Sequence, residues 1–162
     1  MLFRSYAAQG RAVTTSDYIT ILQQNTLGYS FDAVNVWSGA ENNPPNYGNV
    51  YISIKPSGGY TLTEFQKDDI ITNILNPVSV LTVSPIIVEP DYTYLLLNGQ
   101  MYYDPKLTSL SLGQLNTLIT QGIQTYCTSV LNTFNSTFAI GNLINYVQSL
   151  DPSIIACDFD IY

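Results

Sequence analysis

The sequence predicts an α+β protein in which helices pack on one face of small mixed sheets. Segments with strand-like alternation occur in pairs, and segments with helical spacing separate the pairs, in the order α, β, β, α, β, β, α, α, β. A chain of 162 residues can bury a core as one domain or as two small lobes. We predict two lobes: an N-terminal helix plus ββαβ in residues 1–89, and βααβ in residues 90–162.

The first lobe is predicted from caps, alternation and proline positions. Thr and Ser at residues 14–16 are caps for a short helix to about Asn25, and residues 33–37 and 50–55 alternate as strands. Thr63 and Gln66 have capping-box spacing, and Pro77 disfavours continuation of that helix beyond Asn76. The predicted buried stripe of this helix consists of Phe65, Ile70, Ile71, Ile74 and Leu75. Residues 78–88 and 92–103 are predicted strands, and Pro85 indicates an edge position or a bulge.

The second lobe contains the longest periodic segment of the chain. Ser111 and Gln114 repeat the capping-box spacing at its start, and Gly122 lies in its middle. This glycine indicates either another backbone close by or a locally weak helix. The predicted apolar stripe consists of Leu112, Leu115, Ile119, Tyr126, Val130 and Phe134. A last helix is predicted to stop at Asp151, before a strand whose inward residues are Ile155, Cys157, Phe159 and Ile161.

The charge pattern excludes several classes of partner. The chain has 12 acidic and 5 basic residues, a net charge of −7 and no run of like charge. Nucleic acids and anionic membranes attract basic patches, so we expect neither as a partner. No apolar run approaches the roughly 18 residues of a membrane span, and residues 1–10 lack a signal-peptide pattern. A soluble intracellular product is expected.

Reactive side chains are scarce. The chain has no histidine, which excludes zinc sites and triads that depend on that residue. Cys127 and Cys157 lie in apolar patterns and are predicted to be small core residues. The carboxylate pairs at residues 68–69, 89–91 and 158–160 are local neighbours, whereas an acid/base pair needs carboxyls from different elements. We predict no catalytic residue, cofactor, metal or small-molecule substrate; a calcium site at residues 158–160 would require a further loop oxygen.

A long loop between the first two strands is the candidate functional segment. Its predicted interface residues are Trp37, Glu41, Asn43, Pro44, Pro45 and Tyr47. A loop on a strand pair is a natural contact site, and the two prolines reduce the entropy lost on docking. The alternative is that the loop folds back over its own sheet, with Trp37 packed on Tyr47.

Three stretches of the sequence carry a family resemblance. They are RAVTTSDY at residues 11–18, VWSGAENNPPNYGNVYISIKP at residues 36–56, and EPDYTYLLL at residues 89–97. In this order they resemble the baseplate wedge proteins of T-even-type contractile-tailed bacteriophages, which are similar to the broader baseplate J family. The middle stretch is the most specific, and the later helices fit the family less distinctively.

The resemblance implies a structural function. Members of the family are non-enzymatic subunits of the virion tail baseplate, assembled in the host bacterial cytoplasm. They dimerise, contact other wedge subunits and link neighbouring wedges around the hub. The family proteins are several times longer, so this chain is expected to be an interior to C-terminal fragment, truncated at its C-terminus. A glycan- or receptor-binding tail module is the alternative; solvent-facing aromatic rings beside Asn and Asp in a groove would favour it.

Overall fold

The computed structural model describes residues 10–162, whose helices and strands follow the predicted order and confirm the α+β class. The helices are α1 (Thr15–Gln23), α2 (Glu64–Ile70), α3 (Leu112–Tyr126) and α4 (Ile140–Leu150). The strands are β1 (Phe31–Ser38), β2 (Asn49–Pro56), β3 (Ser84–Val88), β4 (Leu97–Tyr103) and β5 (Ile154–Ile161). Two compact units divide between Asp91 and Tyr92.

The stretch without a signal-peptide pattern, residues 1–10, lies outside the described residues except for Gly10. Within the described part of the chain, none of the helices has the length and apolar character needed to cross a membrane.

A three-stranded sheet in the order β1-β2-β3 organises the first unit. β2 pairs antiparallel with β1 and parallel with β3, so β2 is the central strand. Ile52 and Ile54 of β2 are buried, as is Val36 on β1. They form one core cluster with Leu22 of α1 and Ile70 of α2. One face of the sheet is therefore covered by helices, as predicted.

The second helix of this unit begins where it was predicted to begin, but one residue of its predicted buried stripe is exposed. The Thr63 side chain accepts from the backbone N–H of Gln66, and the helix continues as a π turn over Ile71–Leu75. The prediction for Phe65 is wrong, because its side chain is 76% exposed. Phe65 lies five residues before buried Ile70, which at 3.6 residues per turn places it about 140° away around the helix.

The predicted strand over residues 78–88 is wrong in its first half, since β3 covers only Ser84–Val88. The backbone N–H of Ser79 donates to Leu75 at 2.9 Å and that of Ala12 donates to the carbonyl of Val78 at 2.8 Å. The backbone groups of Val78 and Ser79 are thus already hydrogen-bonded to Ala12 and Leu75, so they do not pair as part of β3. A turn follows them and leads into the strand. β3 is an edge strand, which confirms the position expected for Pro85.

The predicted strand over residues 92–103 is likewise shorter than expected, since β4 begins at Leu97. Just before β4, Leu96 and Tyr162 exchange backbone hydrogen bonds of 3.0 and 3.1 Å.

The second unit packs α3 and α4 against the antiparallel ribbon β4-β5. Leu115, Ile119 and Tyr126 are buried as predicted, together with Leu143 and Val147 of α4. The rest of the predicted stripe on α3 is wrong or lies outside the helix.

Leu112 and Val130 are exposed by 57% and 40%, respectively. Leu112 is the first residue of the helix, and Val130 lies in the π turn Cys127–Leu131, whose wider spacing breaks the helical phase. Phe134 follows the π turn and is half-buried.

Gly122 has a packing role in the middle of α3. It is buried, and a Cβ added there would clash with Cδ1 of Leu150 on α4. The neighbour is therefore a side chain of the facing helix, and the predicted close backbone is wrong.

A β-bulge changes which residues of β5 face the core. Tyr102 pairs with Ala156 and Tyr103 with Ile154, so Ile155 has no opposite residue. As a result Ile155 is 62% exposed, against the prediction, and Ile154 is buried in its place.

The two cysteines are free. Cys157 packs against the core of the second unit, where burial raises the pKa of its thiol. Cys127 is half-buried in the π turn that follows α3.

Replacing Ser111 by Ala should lower the free energy of unfolding of the second unit by about 0.5–2 kcal/mol, because α3 loses its N-cap. The Ser111 hydroxyl accepts from the N–H of Gln114, and the Gln114 side chain accepts from the N–H of Ser111 at 2.9 Å. Urea denaturation followed by circular dichroism measures the loss. Ser109→Ala, at an exposed position before the helix, is the control and should change stability by less than about 0.5 kcal/mol. Equal effects of the two changes would show that the cap contributes nothing.

Candidate interface loop

The loop between β1 and β2 begins with a tight turn that its own side chains close. Gly39–Glu41 form a 3-10 turn. The Ser38 hydroxyl accepts from the N–H of Ala40 at 3.2 Å, and the Glu41 carboxylate accepts from the N–H of Ser38 at 3.1 Å. Of the predicted interface residues, Glu41 is thus partly engaged within the loop while its side chain stays exposed.

Trp37 holds the base of the loop against the sheet. Its ring stacks on that of Tyr51, the opposite residue on β2, with centroids 5.8 Å apart and an interplanar angle of 17°. Its indole N–H donates to the side-chain oxygen of Asn42 at 2.9 Å. Trp37 is half-buried, so among the predicted interface residues it acts as an anchor of the loop rather than as its tip.

Asn46 closes the loop from its other end. Its backbone N–H donates to the carbonyl of Gly39 at 2.7 Å, and its side-chain NH₂ donates to the Tyr51 hydroxyl at 2.8 Å. Asn49 donates in turn to the Asn46 side-chain oxygen at 2.8 Å. Gly39 is buried beneath the backbone of Asn46. A Cβ on Gly39 would clash with the carbonyl oxygen of Asn46. Three hydrogen bonds therefore join Asn46 to Gly39, Tyr51 and Asn49 and hold the loop to the start of β2.

The tip of the loop remains in solvent. Asn43, Pro44, Pro45 and Tyr47 are all exposed, and 78% of the Tyr47 side chain is accessible. The peptide bond between Asn43 and Pro44 is cis. The alternative in which Trp37 packs on Tyr47 is wrong, because Tyr51 takes that place. The base of the loop folds onto its own sheet, and its tip does not.

Four residues of this site were missed from the sequence: Asn42, Asn46, Asn49 and Tyr51. A usable signal was present, because Asn side chains commonly hydrogen-bond to nearby groups in turns, and residues 42–49 contain four of them. The partner of Trp37 could also have been found by pairing the two strands outward from the loop, which places Tyr51 opposite it.

Three carboxylates near α2, those of Glu64, Asp69 and Glu89, have structural partners. Lys67 donates to Glu64 at 2.7 Å and to Glu89 at 3.3 Å, and these contacts raise the pKa of its ammonium group. Asp69 accepts from the Tyr29 hydroxyl at 2.7 Å, and this hydrogen bond, followed by burial, raises the pKa of Tyr29. Within residues 10–162, no three Cys, Asp or Glu side chains converge as metal ligands.

A second surface without charge lies on the helices of the other unit. Residues 107–150 include no Asp, Glu, Lys or Arg. A shallow groove along the end of α3 and the π turn after it is lined by Gln121, Gln124, Thr125, Thr128 and Ser129. The hydroxyl of Thr125 donates to the carbonyl of Gln121 at 2.8 Å, and that of Thr128 donates to the carbonyl of Gln124 at 2.9 Å. The methyl groups of the two threonines are therefore the parts available to contact another molecule. The groove has no aromatic lining of the kind that sugar binding requires.

Both units match families of known proteins. Residues 14–88 match the family described as baseplate structural protein gp6, C-terminal domain I, and residues 91–162 match that described as its C-terminal domain III. The chain is also similar to the baseplate wedge protein gp6 of Enterobacteria phage T4, with 31% identity over 147 residues. This match covers 91% of the chain and 21% of the T4 protein, so the chain spans about a fifth of the length of this relative.

Proposed function

Because this chain belongs to the gp6-like baseplate proteins, we propose that it is a structural subunit of a phage tail baseplate wedge. It acts through protein–protein contacts that link wedges around the hub, and it is located in the virion after assembly in the host cytoplasm. The similarity to gp6 domains in both halves of the chain supports this function. The finer relationship, to T-even-type proteins and through them to the baseplate J family, is part of the same proposal.

The observation that carries the contact function is the interface loop, with its tied base and its exposed tip. The residues proposed for the contact are Trp37, Glu41, Asn43, Pro44, Pro45 and Tyr47. Hydrogen bonds from Asn46 and the stacking of Trp37 on Tyr51 hold the loop before any partner binds. A loop that is already ordered loses little conformational entropy on docking. Tyr47 then supplies a large, amphipathic side chain of the kind that dominates binding energy at interfaces.

The proposed partners are other wedge subunits, and a second copy of the chain's parent protein in a homodimer. Uncharged polar residues far outnumber charged ones, so flat contacts can form hydrogen bonds without the cost of burying charge. We assign no enzymatic activity, because the matched family is described as a structural protein of the baseplate. The alternative glycan-binding function has no supporting observation in residues 10–162.

The two lobes are proposed to be domains, residues 1–89 and residues 90–162. The two compact units and the two matched segments support this division. Limited proteolysis is expected to cut the chain near Glu89–Tyr92 and to leave two folded products. Cleavage throughout one of the lobes, with no cut at this position, would contradict the division.

Replacing Tyr47 by Ser should weaken binding to the neighbouring wedge subunits by at least about tenfold in Kd, because the central aromatic anchor is lost. The measurement is a titration of purified wedge subassemblies that lack this protein with the full-length protein. Tyr60→Ser is the matched control, because Tyr60 is 66% exposed and follows the opposite end of β2. Over eight residues this end is roughly 25 Å from the loop.

Two results would count against the proposal in different ways. Equal binding by both Tyr variants and the wild type would exclude the loop as the contact but leave the subunit function intact. A wild-type protein that binds none of the wedge subassemblies, and that is absent from purified tails, would exclude the subunit function itself.

A further inference from the structure

We propose that the turn over residues 79–83, next to the interface loop, forms the second half of the same contact, and that both enter one uncharged, apolar pocket on a neighbouring wedge subunit. The inference rests on the proposed function and adds Leu81 and Thr82 to its site. It also states the chemistry of the partner surface.

The two segments meet at one end of the sheet because β2 and β3 run parallel. Asn49 at the start of β2 pairs with Ser84 at the start of β3. The residues that precede the two strands are therefore neighbours, although more than 30 residues separate them in the sequence. The backbone N–H of Ser84 donates to the carbonyl of Gly48 at 2.9 Å. The carbonyl oxygen of Thr82 lies 3.5 Å from the position that a Cβ on Gly48 would occupy.

Both segments present large apolar side chains to solvent. Leu81 is fully exposed at 104%, the highest value among the large hydrophobic residues described, and Tyr47 is exposed by 78%. The turn that carries Leu81 is itself ordered by hydrogen bonds, with the N–H of Val83 donating to Val80 at 2.9 Å and that of Ser79 to Leu75. Two apolar side chains are thus held on fixed backbone at one edge, where the unit makes no use of them for its own core.

The charges of the chain determine what kind of pocket fits. Residues 42–48 and 79–83 contain no Asp, Glu, Lys or Arg, although the chain has a net charge of −7. An acidic body is attracted to basic surfaces, but the carboxylate nearest these two segments in the loop, that of Glu41, already accepts from the backbone N–H of Ser38. A pocket lined by apolar and uncharged polar groups matches Tyr47, Leu81 and the two prolines. A charged pocket would lose its hydration on contact without gaining an ionic partner.

The test uses the full-length protein and the wedge subassembly that lacks it, as for Tyr47. Leu81→Ser is expected to raise the Kd about tenfold, and Leu81→Asp and Leu81→Lys are expected to raise it further and to similar extents. The loss of affinity caused by Leu81→Ser should differ by less than about twofold between 50 and 300 mM salt, because the side chain that is removed carries no charge. Phe65→Ser is the matched control, since Phe65 is 76% exposed on α2 and should bind as the wild type does.

The outcomes separate the two proposals. If Tyr47→Ser weakens binding and Leu81→Ser does not, the second half of the contact is wrong and the subunit function stands. If Leu81→Lys binds more tightly than the wild type, or if 300 mM salt abolishes the difference between Leu81→Ser and the wild type, the uncharged pocket is wrong. If the wild type does not bind the subassembly, both proposals are wrong. Because Leu81 lies outside the core, unchanged thermal unfolding of its variants will exclude loss of folding as the cause.

Discussion

Replacing Ile52 by Ala is expected to lower the free energy of unfolding of the first unit by about 2–5 kcal/mol. Ile52 has no accessible surface and lies on the central strand β2, in the cluster that joins the sheet to the helices. Truncation removes buried methyl and methylene groups and leaves a cavity that a strand paired on both sides cannot close. The loss is a large part of the stability of a small domain.

The single tryptophan, Trp37, is an intrinsic fluorescent probe of the unfolding of the first unit, because its ring is stacked on Tyr51 in the same sheet as Ile52. Tryptophan fluorescence during urea denaturation therefore follows the first unit. Leu81→Ala is the control: it truncates a fully exposed aliphatic side chain of the same unit, and it should change stability by less than about 0.5 kcal/mol. If both variants unfolded at the same urea concentration, the assignment of Ile52 to the core would be wrong.

Replacing Gly39 by Ala is expected to disrupt the interface loop and to lower the free energy of unfolding by about 1–3 kcal/mol. The new methyl group would collide with the carbonyl oxygen of Asn46 and lie 3.0 Å from that of Asn49. Both obstacles are backbone, so the strand end must move, and the hydrogen bond from Asn46 to Gly39 must lengthen or break. The tip would lose its fixed position, and partner binding would weaken although no contact residue has changed.

Gly58→Ala is the matched control for this change. An added Cβ at Gly58 meets no atom within 4 Å, so the substitution should be neutral or stabilise by less than about 1 kcal/mol. Denaturation gives the stability of each variant, and the chemical shifts of the Trp37 indole N–H and the Asn46 amide report the loop. Unchanged shifts in the Gly39 variant would show that the close approach of the two backbones is not real.

The order of helices and strands was predictable because local signals agreed with the tertiary structure. Capping boxes at Thr63 and Ser111 marked two helix starts, and alternation marked β1 and β2. The errors came from effects with no local signal. A π turn ended the periodicity before Val130, and a bulge opposite Tyr102 turned Ile155 outward. Periodicity assumes a constant helix or strand, so a π turn or a bulge changes which residues face the core at the place where it occurs.

The sequence indicated the candidate loop but not the contacts that hold it. The loop residues were found from their composition, and five of the six are exposed, whereas Trp37 serves as an anchor. Nothing in the sequence indicated that Leu81 would lie beside this loop, because residues 78–83 have the composition of a strand. The turn at residues 79–83 lies beside the loop because β2 and β3 pair in parallel, and this pairing joins distant parts of the chain. Long-range pairing of this kind leaves no pattern within a short window of sequence.

A photo-activated cross-linker at position 47 tests the central claim most directly. The full-length protein carrying it is incorporated into tails, irradiated and analysed by mass spectrometry, and the same linker at position 60 serves as the control. Contact through the interface loop predicts a cross-link from position 47 to another baseplate subunit and none from position 60. Cross-links from position 47 only to the strands of its own chain would contradict the account, because they would show that the tip folds back on its own sheet.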